Sequence, residues 1–280
     1  MPSSGANSKT ARVMRRDLRA VLMVLGMATA ACSSPQIMPA PESSTTPKKS
    51  LQKTERTPQE SAAIWVQLGQ HYLELGKYQI AKEDLQKALK FDPKSVDAHT
   101  VLATLYDRVG DQTSAEQHYR AAADLAPTGA SANNNYGLYL CKLGRFDQAQ
   151  KRFDIAKADG FYTSRDIVYL NSGTCTLLAK GSKEAAEADF RRAIEVNPNN
   201  GQALFQLASV LYDKNDFFKA RAFIQRFDAL GQPSPDALLL ARNIEVKLGN
   251  ASAAHDYAQR LREQFPDTSQ THSLDAASTP

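Results

Sequence analysis

Three cysteines and five histidines are the side chains of this 280-residue chain best suited to hold a metal or close a covalent bridge. The histidines, His71, His99, His118, His255 and His272, form no HExxH and no other paired ligand spacing. No glycine-rich phosphate loop and no GxSxG elbow accompanies them. The expectation is a protein that is not an enzyme and has no metal, cofactor or small-molecule substrate. The cysteines, Cys32, Cys141 and Cys175, say more. What each can do depends on the segment that carries it.

Cys32 ends a leader. The segment "MRRDLR" (Met14–Arg19) is basic, and "AVLMVLGMATAA" (Ala20–Ala31) is apolar and closes on small residues. That run is too short to span a bilayer and fits the apolar core of a secretory signal over 1–31. Met14 gives a more usual signal length than Met1. "TAAC" (Thr29–Cys32) resembles the lipobox of bacterial lipoproteins, which implies that Cys32 is diacylated and becomes the mature N-terminus. The alternative is ordinary cleavage that leaves Cys32 free. Ser33 stands where an inner-membrane retention signal would place Asp, so the implied location is the outer membrane, anchored by lipid on its periplasmic face. Residues 32–57 are rich in Pro, Ser, Thr and Lys and poor in large apolar side chains, and are expected to be a flexible tether. The last residues, 269–280, have the same character and are expected to be disordered.

The leader also accounts for the net charge of +4. Lys9, Arg12, Arg15, Arg16 and Arg19 stand against Asp17 alone, and from Cys32 onward 29 basic residues balance 29 acidic ones. A neutral body gives no electrostatic case for nucleic acid.

Between tether and tail runs a repeat. In a 34-residue frame from Ala62, the residues Trp65, Leu68, Gly69, Tyr72, Gly76, Tyr78, Ala81, Leu85, Ala88 and Pro93 fall at positions 4, 7, 8, 11, 15, 17, 20, 24, 27 and 32. This is the tetratricopeptide (TPR) pattern. Five further copies follow, giving repeats at 62–95, 96–129, 130–165, 166–200, 201–234 and 235–268 within a domain of 58–268. Small residues at positions 8, 20 and 27 let two antiparallel helices, A and B, approach closely. Glycine at position 15 ends helix A, and proline at position 32 stops helix B. No repeat buries its apolar face alone, so the expected fold is all-α, a TPR superhelix of about six helix-turn-helix repeats around a concave groove.

Cys141 and Cys175 both fall on helix A, in repeats three and four. They are either a disulfide across that junction, closing a loop worth about 3–4 kcal/mol, or two small buried hydrophobes. At 100° per residue, helix A positions 2, 5, 6, 9, 12 and 13 share the face that lines the groove in TPR proteins. Position 6 carries amides in four repeats: Gln67, Asn135, Asn171 and Gln206. Amides both donate and accept, which suits an extended peptide backbone. Asn134, Leu138, Leu170, Thr174, Phe205 and Tyr212 complete the expected groove. Asn133, near the helix start, is expected to bond a helix end.

Several segments together resemble one family. "NNYGLYLC" (Asn134–Cys141), "GRFDQAQKRFDIAKADGFY" (Gly144–Tyr162), "LNSGTCTLLAKG" (Leu170–Gly181), "ASVLYDKNDFFKAR" (Ala208–Arg221) and "DALLLARNIEVKLGN" (Asp236–Asn250) are similar to the type IV pilus biogenesis/stability lipoproteins, the PilF/PilW pilotins. The resemblance implies a protein partner, the secretin subunit of the pilus, helped to reach and multimerise in the outer membrane. A general periplasmic TPR adaptor in envelope assembly is the competing reading.

Overall fold

The computed structural model describes residues 56–277, so the leader, Cys32 and nearly all of the tether lie outside the described residues. Described are thirteen α-helices and no strand. Twelve form six A–B pairs: α1 (Pro58–Glu74) with α2 (Tyr78–Phe91), α3 (Val96–Arg108) with α4 (Gln112–Leu125), and α5 (Ala130–Lys142) with α6 (Phe146–Ala158). Then come α7 (Arg165–Leu178) with α8 (Lys183–Val196), α9 (Gly201–Asp213) with α10 (Phe217–Asp228), and α11 (Pro235–Lys247) with α12 (Ala251–Gln264). The thirteenth, α13, spans Ser269–Ala277. Each pair packs on the next, so the described residues form an all-α TPR superhelix.

Local chemistry fixes the helix ends. Thr57 and Glu60 make a reciprocal capping box at the start of α1, and Pro58 occupies its first turn. Side chains of Ser95, Asp111, Ser182, Asn200, Asp216, Ser234 and Asn250 cap seven later helices. Every helix A ends on a left-handed residue at frame position 15. Gly76, Gly110, Gly144 and Gly249 fill it with φ of 71°, 82°, 74° and 75°. Lys180 and Asn215 fill it in repeats four and five with φ of 52° and 60°. The next residue closes the turn by donating its N–H back to helix A, as Lys77 does to the Tyr72 carbonyl at 2.8 Å.

The core follows the frame. Gly137 sits so close to the Phe153 ring that a Cβ there would come within 2.9 Å of it, and Gly173 meets Phe190 at 2.8 Å. Both rings are fully buried. A glycine at position 8 thus makes room for a large residue on helix B of the same repeat.

One expectation is corrected. The tail over 269–280 was expected to be disordered on composition, yet α13 covers most of it. Leu274 is buried and joins a cluster with Leu238, Ala258 and Leu261. Thr271 is buried too, its hydroxyl donating to the Phe265 carbonyl at 2.7 Å. Two buried side chains are enough to seat a short helix across the end of repeat six, and composition averages hide them.

Candidate functional site

Helices α1, α3 and α5 present their concave faces side by side and enclose a groove of about 790 Å³. Its lining follows the expected register closely. Val66, Leu73 and Val101 form an apolar floor, and Gln67, Gln70 and Asn135 set amides above it. Ser95, Thr100, Thr104 and Ser131 add hydroxyls. Thr100 donates its hydroxyl proton to the Val96 carbonyl at 2.8 Å, and Thr104 donates to Thr100 at 3.0 Å. Those protons are committed, so the oxygens offer acceptors to the groove. Gln67 is exposed and its amide makes no hydrogen bond within the described residues. Arg108 reaches across from α3 and donates to the Leu73 carbonyl at 3.2 Å. The arrangement suits an extended chain: donors and acceptors for its backbone, and an apolar strip for alternate side chains.

A second hollow of about 500 Å³ continues the groove, sharing Thr104 and Asn135 with it. Leu138 is half exposed here, between Tyr139 and the Lys142–Asp107 ion pair at 2.8 Å. Tyr139 donates to the Gln112 carbonyl at 2.9 Å, and burial pushes its pKa above the ordinary tyrosine value, so it stays a neutral donor.

The structure therefore brings Gln67, Asn135 and Leu138 to the groove and takes Asn134 away from it. Asn134 is buried. Its Oδ1 accepts from the Asn171 amide at 3.0 Å, and its own amide donates to Asn135 Oδ1 at 3.4 Å. Three amides thus run as a ladder between α5 and α7. On the same pair of helices Cys141 and Cys175 are joined as a disulfide, with Cα atoms 5.9 Å apart. Leu170, Phe205 and Tyr212 are half-buried against the core; Phe205 lies 6.0 Å from the Phe227 ring and Tyr212 5.5 Å from Phe217. Thr174 and Gln206 are half-buried and line neither hollow. Phe205 and Tyr212 are thus covered from α10, helix B of their own repeat.

Asn133 bonds the turn between two helices, from Ala126 at the end of α4 to Gly129, the N-cap of its own α5. Its amide donates to the carbonyls of Ala126, Pro127 and Gly129 at 3.0–3.3 Å, and its oxygen accepts from Arg152 at 3.1 Å. Sequence reasoning missed Gln70, Thr100, Thr104 and Arg108, although positions 5, 9 and 13 belonged to the named face. It also missed the pairing of His99 and His118, whose Nδ1 atoms lie 2.9 Å apart between α3 and α4. Burial and then the neighbouring His99 lower the His118 pKa. Among the described residues no three His, Cys, Asp or Glu side chains converge on a common point where a metal could bind.

Comparison with known proteins agrees with this geometry. The tetratricopeptide repeat family model matches residues 66–130 and 175–235. The type IV pilus assembly protein PilF of Pseudomonas aeruginosa is 30% identical over 214 residues, covering 76% of this chain and 84% of the relative. The solved structure of Pseudomonas aeruginosa PilF aligns with a TM-score of 0.72 and 28% identity, over 79% of this chain and 99% of that one. The crystal structure of PilW, a widely conserved type IV pilus biogenesis factor, aligns with a TM-score of 0.68 and 31% identity, over 76% and 97% of the two chains. With that identity carried through the whole repeat domain, the chain belongs to the PilF family of TPR proteins of the type IV pilus.

Proposed function

We propose that the chain is a pilotin: it binds the secretin subunit of the type IV pilus in its concave groove and promotes the secretin's outer-membrane localisation and multimerisation. The observation that carries this reading is the groove over α1, α3 and α5, with amides and hydroxyls above an apolar floor, in a chain of the PilF family. In this reading Cys32 carries lipid, residues 33–57 tether the domain, and the protein works at the periplasmic face of the outer membrane. No helix among the described residues is long and apolar enough to cross a membrane.

The test combines binding with assembly. Gln67→Ala with Asn135→Ala should weaken binding of the purified domain to secretin about tenfold or more, without loss of helicity. Deletion of the gene should abolish secretin multimers on gels, and Cys32→Ser should abolish palmitate labelling. Unchanged affinity in the groove variant rules out the groove, and intact multimers in the deletion rule out the pilotin role.

A further inference from the structure

We infer that His99 and His118 form an acid-sensitive latch in repeat two: it holds α3, a wall of the groove, against α4 at neutral pH and opens when both rings are charged. The repeat frame carries the inference. Position 4 of helix A and position 23 of helix B stand opposite each other within a repeat. In repeat three they are Asn133 and Arg152, joined by a hydrogen bond of 3.1 Å. In repeat five they are Leu204 and Phe223, in repeat six Leu238 and Tyr257, and each pair shares one apolar cluster. In repeat one Lys87 ties the two positions, bonding Asp84 at 2.9 Å and lying over the Trp65 ring at 4.3 Å. In repeat four, where one extra turn residue shifts the frame, Lys157 bonds Asp189 at 2.9 Å and lies over the Tyr169 ring at 5.7 Å. Side chains of these types do not change charge between about pH 5 and 8. Repeat two alone sets two histidines there, with Nδ1 atoms 2.9 Å apart.

The contact limits how many protons the pair can hold. His99 Nε2 lies 3.3 Å from the Pro93 carbonyl oxygen, which can only accept, so that nitrogen carries a proton. A neutral His99 then has its lone pair on Nδ1. His118 donates to it from its own Nδ1, which leaves His118 Nε2 open to one further proton. That proton keeps the bond. The next has only His99 Nδ1 to go to, and two N–H groups on like-charged rings would then face each other across the contact. The rings must part.

No carboxylate offsets that repulsion. Burial and then the charge of His99 hold the His118 pKa below 6.5. From α2, Lys82 lies over the Tyr106 ring at 5.5 Å, and Tyr106 in turn stacks on His118. On α4, Glu116 is held by Arg145 and Arg120, and the Tyr119 hydroxyl meets Thr104. On α3, Asp107 pairs with Lys142 of α5, and Arg108 donates to the Leu73 carbonyl. Asp92 and Asp97 face the groove. A folded pKa below the unfolded one means that the stabilisation is whole above about pH 6.5 and is lost as pH falls towards the lower folded value. The loss falls on α3, which brings Thr100, Val101, Thr104 and Arg108 to the groove.

The test does not depend on what the groove binds, so it stands or falls apart from the secretin reading. Hydrogen exchange of the full chain is compared at about pH 7.5 and 5.5, corrected for intrinsic rates, with a chelator present to keep metal off the two imidazoles. Exchange in α3 and α4 should speed up about tenfold at the lower pH, while α9 and α10 stay unchanged. Two double variants carry pairs that do not titrate into repeat two. His99→Asn with His118→Arg copies repeat three, and His99→Leu with His118→Phe copies repeat five; either should abolish the acid response. Nitrogen NMR of the parent's imidazoles should show two separate protonation steps, the second below about pH 6.5. An acid response that persists in whichever variant folds overturns the inference. So do equal exchange of α3 and α4 at the two pH values and two histidines that titrate independently.

Discussion

At frame position 5, repeat two carries Thr100 and repeat three carries Asn134. Thr100 lines an open groove, while Asn134 is sealed between α5 and α7. At position 6, Gln67 points freely into the groove and Asn171 donates to Asn134. The first half of the superhelix leaves its concave face available, and the junction of repeats three and four uses equivalent positions to bind two repeats together. A recurring residue at a recurring position thus has no fixed role. The neighbour one repeat away decides whether a polar side chain meets a ligand or another side chain.

The sharpest way to probe this difference is to release the junction. Sequence separation between Cys141 and Cys175 is 34 residues, so replacing both by alanine should cost about 3–4 kcal/mol, read as a lower urea midpoint of the oxidised domain. Stacked repeats sense mainly their neighbours, so affinity at the groove over repeats one to three should change little. A groove that loses its ligand along with the bridge would show that the two regions are one unit.

The next effect is a crossed pair. Asn134→Ala leaves the half-buried Asn171 amide facing an apolar methyl, and should cost about 1 kcal/mol of stability with affinity retained. Gln67→Ala should do the reverse: stability within about 0.5 kcal/mol of the parent, with affinity lost. Thermal unfolding and calorimetric titration of the two variants measure all four quantities. If Asn134→Ala weakens binding without destabilising, the assignment of Asn134 to the junction fails.

These two asparagines also mark where sequence reasoning stops. The 34-residue period revealed every helix pair, because small and large residues at positions 8, 20, 24 and 27 are required by packing within one repeat. The concave face was legible too: positions 2, 5, 6, 9, 12 and 13 of repeats one and two line the groove, except Asp107, which lines the adjoining hollow. How tightly one repeat wraps on the next is set by contacts between residues about 34 apart. A single sequence gives their identities but not their distances. Asn134 therefore read as a groove residue. Phe205 and Tyr212 read as its continuation because the rings that meet them, Phe227 and Phe217, come from helix B of their own repeat. The tail was misread for another reason: in "SQTHSLDAA" only Leu274 has a large apolar side chain, and its contacts are with α11 and α12.

Acid distinguishes the regions more gently. Glu116 on α4 accepts from Arg145 at 2.7 Å, from Arg120 at 3.0 Å and from the Tyr136 hydroxyl at 3.3 Å. The hydrogen bond from Arg145, above all, holds its pKa below the usual 4.5. A depressed folded pKa means that the stabilisation is present above about pH 4.5 and is lost as pH falls through the lower folded value. The group is partly exposed, so the effect should stay under about 1 kcal/mol. Glu116→Gln should lower stability at neutral pH by under about 1 kcal/mol and flatten the acid limb by the same amount. An acid limb identical to the parent's would place the responsible carboxylate elsewhere.

The smallest expected effect concerns the turns. Repeats one, two, three and six end helix A on glycine, whereas repeats four and five use Lys180 and Asn215 at the same positive φ. A side chain in the left-handed region costs about 1–2 kcal/mol for an ordinary residue and less for asparagine. Glycine removes that cost but adds chain entropy to the unfolded state, about 0.5–1 kcal/mol. The net gain for Lys180→Gly should be about 0.5 kcal/mol, and for Asn215→Gly close to zero. Hydrogen exchange can locate the gain: slower opening of α7 and α8 with α1 to α4 unchanged. That outcome would assign separate local stabilities to the bridged junction and the open groove. Equal slowing along the whole domain would mean that the six repeats unfold as a single cooperative block.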